Sequence, residues 1–132
     1  MSSYRADIVG SMLRPDWLLE ARKKQRVGEL SDAEFKAIED RAVDECIAIE
    51  EAAGVDVVSD GEMRRNVFAS QLVQASEGFE RIEGNTVDWF LMDGTRVVDP
   101  VTVGLTGPIR MKRNLSAEEF TYLRAKTDRP TK

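Results

Sequence analysis

The stretch "EDRAVDECIAIEEAAGVDVVSDGEMRRNVF", Glu39–Phe68, decides the class of fold. Its first part belongs to a helix whose apolar residues recur at Phe35, Ile38, Ala42, Cys46, Ile49 and Ala53. Steps of three and four place these on one helical face. Just upstream, Ser31 and Glu34 have the spacing of a capping box, in which the hydroxyl takes an orphan N–H and the carboxylate reaches back. Gly54 suits the left-handed stop after the last turn. Val55-Asp56-Val57-Val58 follows at once, and its β-branched residues read as a strand buried on most sides, as in a parallel sheet. The strand runs into a polar loop, Ser59-Asp60-Gly61-Glu62, and then Arg64, Arg65 and Asn66.

The same alternation extends in both directions. Asp7–Val9 reads as a short strand ending at the turn Gly10-Ser11. Pro15 fits the first turn of a helix, where a missing N–H costs nothing, and that helix carries Trp17, Leu18, Ala21 and Val27 before stopping near Gly28. A helical pattern resumes from Val67 to Ala75. Thr86–Met92, Asp93-Gly94 and Thr95–Val98 read as a β-hairpin, because Asp-Gly supplies the positive φ of a two-residue turn. Val101–Thr106 reads as another strand, ending at Gly107-Pro108. Ser116 and Glu119 repeat the capping-box spacing before a helix with Phe120, Leu123 and Ala125 that ends near Thr127, with Pro130 beyond. The polar residues Arg129–Lys132 are expected to fray.

Strands separated by helices imply parallel pairing with right-handed crossovers. The expected fold is α/β: the N-terminal part of an incomplete TIM-type β/α barrel, with a hairpin excursion at about 86–99 inside a single domain, 1–132. A closed eight-stranded barrel takes about 250 residues, and only about three strands of that type are present here. An open sheet edge invites another chain, so self-association or a complementary barrel half is the expected partner.

Composition narrows the chemistry. The chain has 132 residues and a net charge of −5, with 42% hydrophobic and 33% charged residues, which excludes a basic nucleic-acid stripe and argues against disorder. The basic groups Arg22-Lys23-Lys24 and Arg110-Met111-Lys112-Arg113 read as solvated faces. No apolar run reaches the roughly 20 residues that cross a bilayer, and no apolar signal core opens the chain. With a single cysteine, these features favour the cytoplasm. The absence of histidine excludes a Ser/His/Asp triad, a Cys/His pair and a His-ligated metal within one chain.

Two segments lie where a strand's carboxyl end meets a loop, the place where parallel α/β proteins bind ligands. At Val9-Gly10-Ser11 the glycine lets the backbone approach a ligand, and the Ser11 hydroxyl with nearby N–H groups suits a carboxylate; an ordinary turn also requires glycine there. At Asp60-Gly61-Glu62 a carboxylate suits a ligand amine or a metal; a solvated loop whose acids pair with Arg64 and Arg65 is the plainer alternative. Cys46 sits within the apolar stripe as a small hydrophobe, and the acids Asp44, Glu45, Glu50 and Glu51 around it oppose a reactive thiolate. Trp17, Phe35, Trp89, Phe90 and Phe120 read as core or interface residues.

These segments, in this order, resemble the cobalamin-independent methionine synthase family, and most closely its short single-barrel members. The resemblance rests on "YRADIVGSMLRP" at Tyr4–Pro15, on "EDRAVDECIAIEEAAGVDVVSDGEMRRNVF" at Glu39–Phe68, and more weakly on "LSAEEFTYLRAKTDRPTK" at Leu115–Lys132. It implies a homocysteine S-methyltransferase whose barrel holds the thiolate on zinc and takes a methyl group from a polyglutamylated methyltetrahydrofolate. By the same resemblance Gly10 and Ser11, with Val9 beside them, match the turn that binds the amino-acid part of the substrate. Glu62 matches the acid that binds its amino group, Asp60 stands behind it, and Arg14 is shared with the short members without an assigned role. The family's zinc ligands come from later strands, so no cofactor is expected in the isolated chain and its activity awaits the rest of a barrel. A non-catalytic assembly or binding module and a truncated fragment remain the alternatives.

Overall fold

The second helix is built as its sequence dictates. In α2 (Asp32–Ala53) the Ser31 side chain accepts the Glu34 N–H while Glu34 reaches back to the Ser31 N–H, and Gly54 closes the far end at φ 78°. The first helix, α1 (Asp16–Arg26), begins directly after Pro15, whose φ of −67° leads the chain into it. The buried face of α2 follows Ala42, Val43, Cys46, Ile47 and Glu50. Ile49 and Ala53, expected on that face, are exposed. Steps of three and four from Val43 lead to Cys46, Ile47 and Glu50, so the stripe turns towards an acid at its end.

The computed structural model describes residues 5–67 and 70–132. They fall into two compact units, one formed by Met1–Asn66 with Ser116–Lys132 and the other by Val67–Leu115. Tyr4, Phe68 and Ala69, which entered the sequence reading, lie outside the described residues. Across the described residues the architecture is mixed α/β, in the order α1, α2, α3 (Ser70–Ala75), β1 (Ser76–Phe90), β2 (Arg96–Met111) and α4 (Leu115–Arg124). No helix among them is long and apolar enough to cross a membrane.

In the first unit the core gathers Leu18 from α1, Ala42, Val43, Cys46 and Ile47 from α2, Val55, Val58 and Met63 beyond it, and Leu123 from α4. Fully burying a side chain of this size contributes about 1.5–3 kcal/mol, which makes this cluster the main stabilising element of the unit. Beside it, extended segments run parallel: Asp7 bridges Val57, and Val58 bridges Thr131. The Val58 N–H donates to the Pro130 carbonyl at 2.9 Å, and the Lys132 N–H returns to the Val58 carbonyl at 3.1 Å. The polar segment Arg129–Lys132 is therefore paired rather than frayed. The Arg129 guanidinium also donates to the carbonyls of Val55 and Glu51, groups left over where α2 ends. Helix α4 starts at Leu115, so Ser116 lies in its first turn instead of ahead of it.

The second unit holds a two-stranded antiparallel ribbon. Its pairing runs from Ser76↔Met111 to Phe90↔Arg96, so the excursion is much longer than 86–99. Val101–Thr106 is no separate parallel strand: it lies in β2, with Val103 opposite Arg81 and Gly104 opposite Glu80. A short turn joins neighbouring antiparallel arms directly, whereas a parallel partner requires a long crossover. The turn has one residue more than Asp93-Gly94 alone. The Gly94 N–H donates to the Leu91 carbonyl at 2.9 Å, the Leu91 N–H donates to Thr95 at 2.9 Å, and Gly94 takes φ 83°. This is a three-residue loop with glycine in the left-handed position.

Replacing Ser31 by alanine removes one half of the capping box. Urea denaturation is expected to show a loss of about 1 kcal/mol with an unchanged m value. An unaltered midpoint would show that the cap contributes nothing.

Candidate functional site

The two loops singled out in the sequence meet. The Met12 N–H donates to the Gly61 carbonyl at 3.1 Å, which joins the segment after Asp7 to the loop after Val58. Beside that bond the Ser11 hydroxyl donates to Glu62 Oε2 at 2.5 Å. The other carboxylate oxygen of Glu62 accepts from Arg65 Nη1 at 2.8 Å, and its carbonyl accepts from Arg14 Nη2 at 3.0 Å. Gly10 takes φ 84°, and Val9, Gly10 and Ser11 are exposed. Asp60 Oδ1 accepts the Glu62 N–H at 2.9 Å and closes the turn.

Glu62 is held in an uncommon backbone conformation. Its φ of 55° is positive, which no other non-glycine residue among those described adopts. A side chain in the left-handed region costs roughly 1–2 kcal/mol, so surrounding bonds must hold it there. The inner side of the same loop is equally constrained. A Cβ on Gly61, at φ 61°, would overlap Cys46 Sγ and stand 3.3 Å from the Met12 Cβ, so only glycine lets the loop lie against α2.

Behind the loop is Glu50, which is 1% exposed. Its carboxylate accepts the Ser59 N–H at 2.7 Å and the Ser59 hydroxyl at 2.8 Å, and Ser59 Oγ accepts the Gly61 N–H at 3.1 Å. A buried carboxylate needs donors of this kind, and the chain supplies them at the strand's end. Sequence reasoning treated Glu50 only as a neighbour of Cys46; its position four residues after Cys46 and seven after Val43 was the available signal. Cys46 itself is 1% exposed, and its thiol is pushed up to about 12, first by burial and then by the Glu50 and Asp60 carboxylates. It is a packed hydrophobe and not a nucleophile.

Arg22 was also misread. It is no solvated residue but 8% exposed, because it shares the inner face of α1 with Leu18 and Ala21. Its guanidinium donates to the Arg65 carbonyl at 3.1 Å and the Met63 carbonyl at 3.0 Å, and pairs with Glu39 at 3.3 Å. Burial pushes Glu39 up and Arg22 down, so desolvation outweighs the attraction between them. Arg64 pairs with Asp40 at 2.6 Å and lies over the Tyr122 ring.

The family implied by the resemblance uses zinc, and the donors present here do not fit it. No group of at least three His, Cys, Asp or Glu residues able to hold a metal occurs among the described residues. The only thiol is buried and protonated. A polar hollow lined by Glu51, Arg124, Lys126, Thr127 and Arg129 contains none of the candidate site residues Val9, Gly10, Ser11, Arg14, Asp60 and Glu62.

The family model described as the catalytic domain of cobalamin-independent synthase matches residues 6–132. A 5-methyltetrahydropteroyltriglutamate–homocysteine methyltransferase from Synechococcus is 31% identical over 94% of this chain, which spans 16% of that relative's length. A methionine synthase from Sulfurisphaera tokodaii is 38% identical over 55% of the chain, covering 22% of its own. The crystal structure of a putative vitamin-B12-independent methionine synthase from Listeria monocytogenes superposes with a TM-score of 0.65 at 26% identity, covering 96% of this chain and 34% of the Listeria chain.

The raised Cys46 value has a pH signature. The thiol is neutral in the folded chain until about 12 but ionises from about 9 when unfolded. Its contribution is therefore fully present below pH 9 and is lost as pH rises towards 12. Stability measured across that range for the parent and for Cys46→Ala is expected to converge at alkaline pH. Parallel curves would contradict the assignment.

Proposed function

The chain belongs to the cobalamin-independent methionine synthase family, and we propose that it is the amino-terminal part of a zinc-dependent thiol methyltransferase barrel, contributing half of the pocket for a homocysteine-type substrate. The parallel segments at Asp7, Val57–Val58 and Thr131 support the barrel reading, as the opening strands of a cylinder that further strands would close. In this reading the zinc ligands and the site for a methyl-folate donor come from a complementary part, since the described residues hold no suitable donor cluster. A reducing compartment, the cytoplasm, suits a thiol acceptor.

The observation that carries the proposal is the contact between Ser11 and Glu62 across 51 residues of sequence. A free α-amino acid presents an ammonium and a carboxylate side by side. The Glu62 carboxylate accepts from Ser11 and Arg65, and each of its oxygens retains a lone pair for the ammonium. The exposed turn at Gly10-Ser11 offers backbone N–H groups for the carboxylate, while the single proton of the Ser11 hydroxyl is committed to Glu62. Arg14 holds the Glu62 carbonyl through Nη2, and its Nε is a buried donor with no hydrogen-bond partner. Val9 borders the same turn, and Asp60 acts through the Glu62 backbone. The side chain of the substrate is thereby left free to point towards whatever activates its thiol.

A second reading rests on a different observation. Trp89, Phe90, Leu91 and Met92 at the hairpin tip are exposed, which suits an assembly module that covers this surface by self-association. Light scattering separates the readings: a monomer at high concentration removes the assembly module.

The proposal itself is tested by mixing this chain with a complementary barrel half cut from a relative, adding zinc, and assaying methyl transfer to homocysteine. A stable complex without transfer would refute it. Within an active complex, Glu62→Gln is expected to weaken homocysteine binding by roughly 10- to 100-fold, the equivalent of one charge-assisted hydrogen bond. Thermal stability is expected to change little. A large fall in melting temperature with unchanged affinity would make Glu62 a structural residue.

A further inference from the structure

We propose that Arg22 is a positioning residue for Glu62: it clamps the backbone that follows Glu62 and so keeps the carboxylate aimed at Ser11. The inference rests on the substrate-binding reading of Glu62 and adds a residue that the family resemblance does not carry.

The geometry has three parts. One guanidinium, on the inner face of α1, meets the carbonyls of consecutive residues: Met63 at 3.0 Å, Arg64 at 3.5 Å and Arg65 at 3.1 Å. Those carbonyls leave a tight turn in which the Met63 N–H donates to the Asp60 carbonyl at 3.3 Å and the Arg65 N–H to the Glu62 carbonyl at 3.1 Å. The end of such a turn resembles a helix C-terminus, where unpaired carbonyls attract a cation. Finally, the clamped backbone belongs partly to Arg65, whose own side chain holds Glu62 Oε1 at 2.8 Å. Arg22 thus acts on the carboxylate through one intermediate residue. Asp60 fixes the turn from the N–H side of Glu62; on the other side Arg14 holds the Glu62 carbonyl itself and Arg22 holds the three carbonyls that follow it.

Charge alone does not serve this purpose. A lysine ammonium is a compact point charge, whereas the planar fork of arginine spans several carbonyls at once. The ion pair with Glu39 is a separate contact of the same group and can be removed independently. Glu39→Gln keeps the fork in place, and Arg22→Lys keeps the charge but loses the fork.

The experiment compares these two variants with the parent 132-residue chain. Backbone carbon shifts and amide–Hα couplings report whether Glu62 keeps its positive φ, and amide hydrogen exchange reports the loop and α2 separately. In Arg22→Lys the positive-φ signature of Glu62 is expected to disappear and the amides of residues 61–65 to exchange about tenfold faster, while those of Ala42–Glu50 stay within about twofold of the parent. Glu39→Gln is expected to resemble the parent in both regions. Retention of the positive φ in Arg22→Lys overturns the proposal. So does loss of protection in the loop and α2 together, which makes Arg22 a general packing residue, and so does a loop in Glu39→Gln that loosens as much as in Arg22→Lys. Homocysteine binding, measured separately in the parent complex, tests the substrate reading: its failure sinks that reading while the loop result still decides whether Arg22 sets the shape of Glu62.

Discussion

A carboxylate taken out of water must be given donors, and the first unit is organised around that demand. Glu50 stands at the inner end of α2, and the donors it requires come from Ser59 at the end of the following strand segment. Ser59 then accepts from Gly61. The helix, the strand end and the loop are thereby locked in one register, with Gly61 seated on Cys46. Removing either partner of such a pair leaves a buried polar group unsatisfied, which makes the arrangement intolerant of alternatives. Everything described for Glu62 depends on this anchorage one turn away.

The loop bearing Glu62 is over-determined as a result. Its backbone is held by Asp60, Arg14 and Arg22, and its carboxylate by Ser11 and Arg65. Several bonds converge on one residue in an unfavourable conformation, which is the pattern expected where a side chain must be aimed. The contact between Ser11 and Glu62 joins the loops that follow two segments linked by a parallel bridge.

Most local signals were readable where a residue acts on its own neighbours, although Ser116 of the second capping-box spacing lies inside the first turn of its helix. Ser31 with Glu34, the glycine after Ala53, and the Asp93-Gly94 turn each act within a few residues, and each forms where the pattern indicated. Gly10, Ser11 and Glu62 were also legible as strand-end residues, although only folding brings them together. Arg22 and Glu50 were not legible in the same way, because a charged residue in a helix is ordinarily solvated. Their burial is set by partners some forty residues away for Arg22 and nine for Glu50. The hairpin was underestimated for the opposite reason. Its arms are largely exposed on both faces, so no alternation of apolar and polar residues marks their length, and Val101–Thr106 reads as a strand of its own.

The setting of Cys46 bears on its fate in thiol–disulfide exchange. Small thiols circulate with their oxidised dimers, and those dimers exchange with any accessible thiolate on a protein, leaving a mixed disulfide behind. Exchange requires an ionised attacker that can reach the disulfide, and Cys46 offers neither at neutral pH. The residue that packs against the Glu62 loop is therefore chemically silent towards small disulfides. Sulfur fills the space under Gly61 without becoming a target for adduct formation.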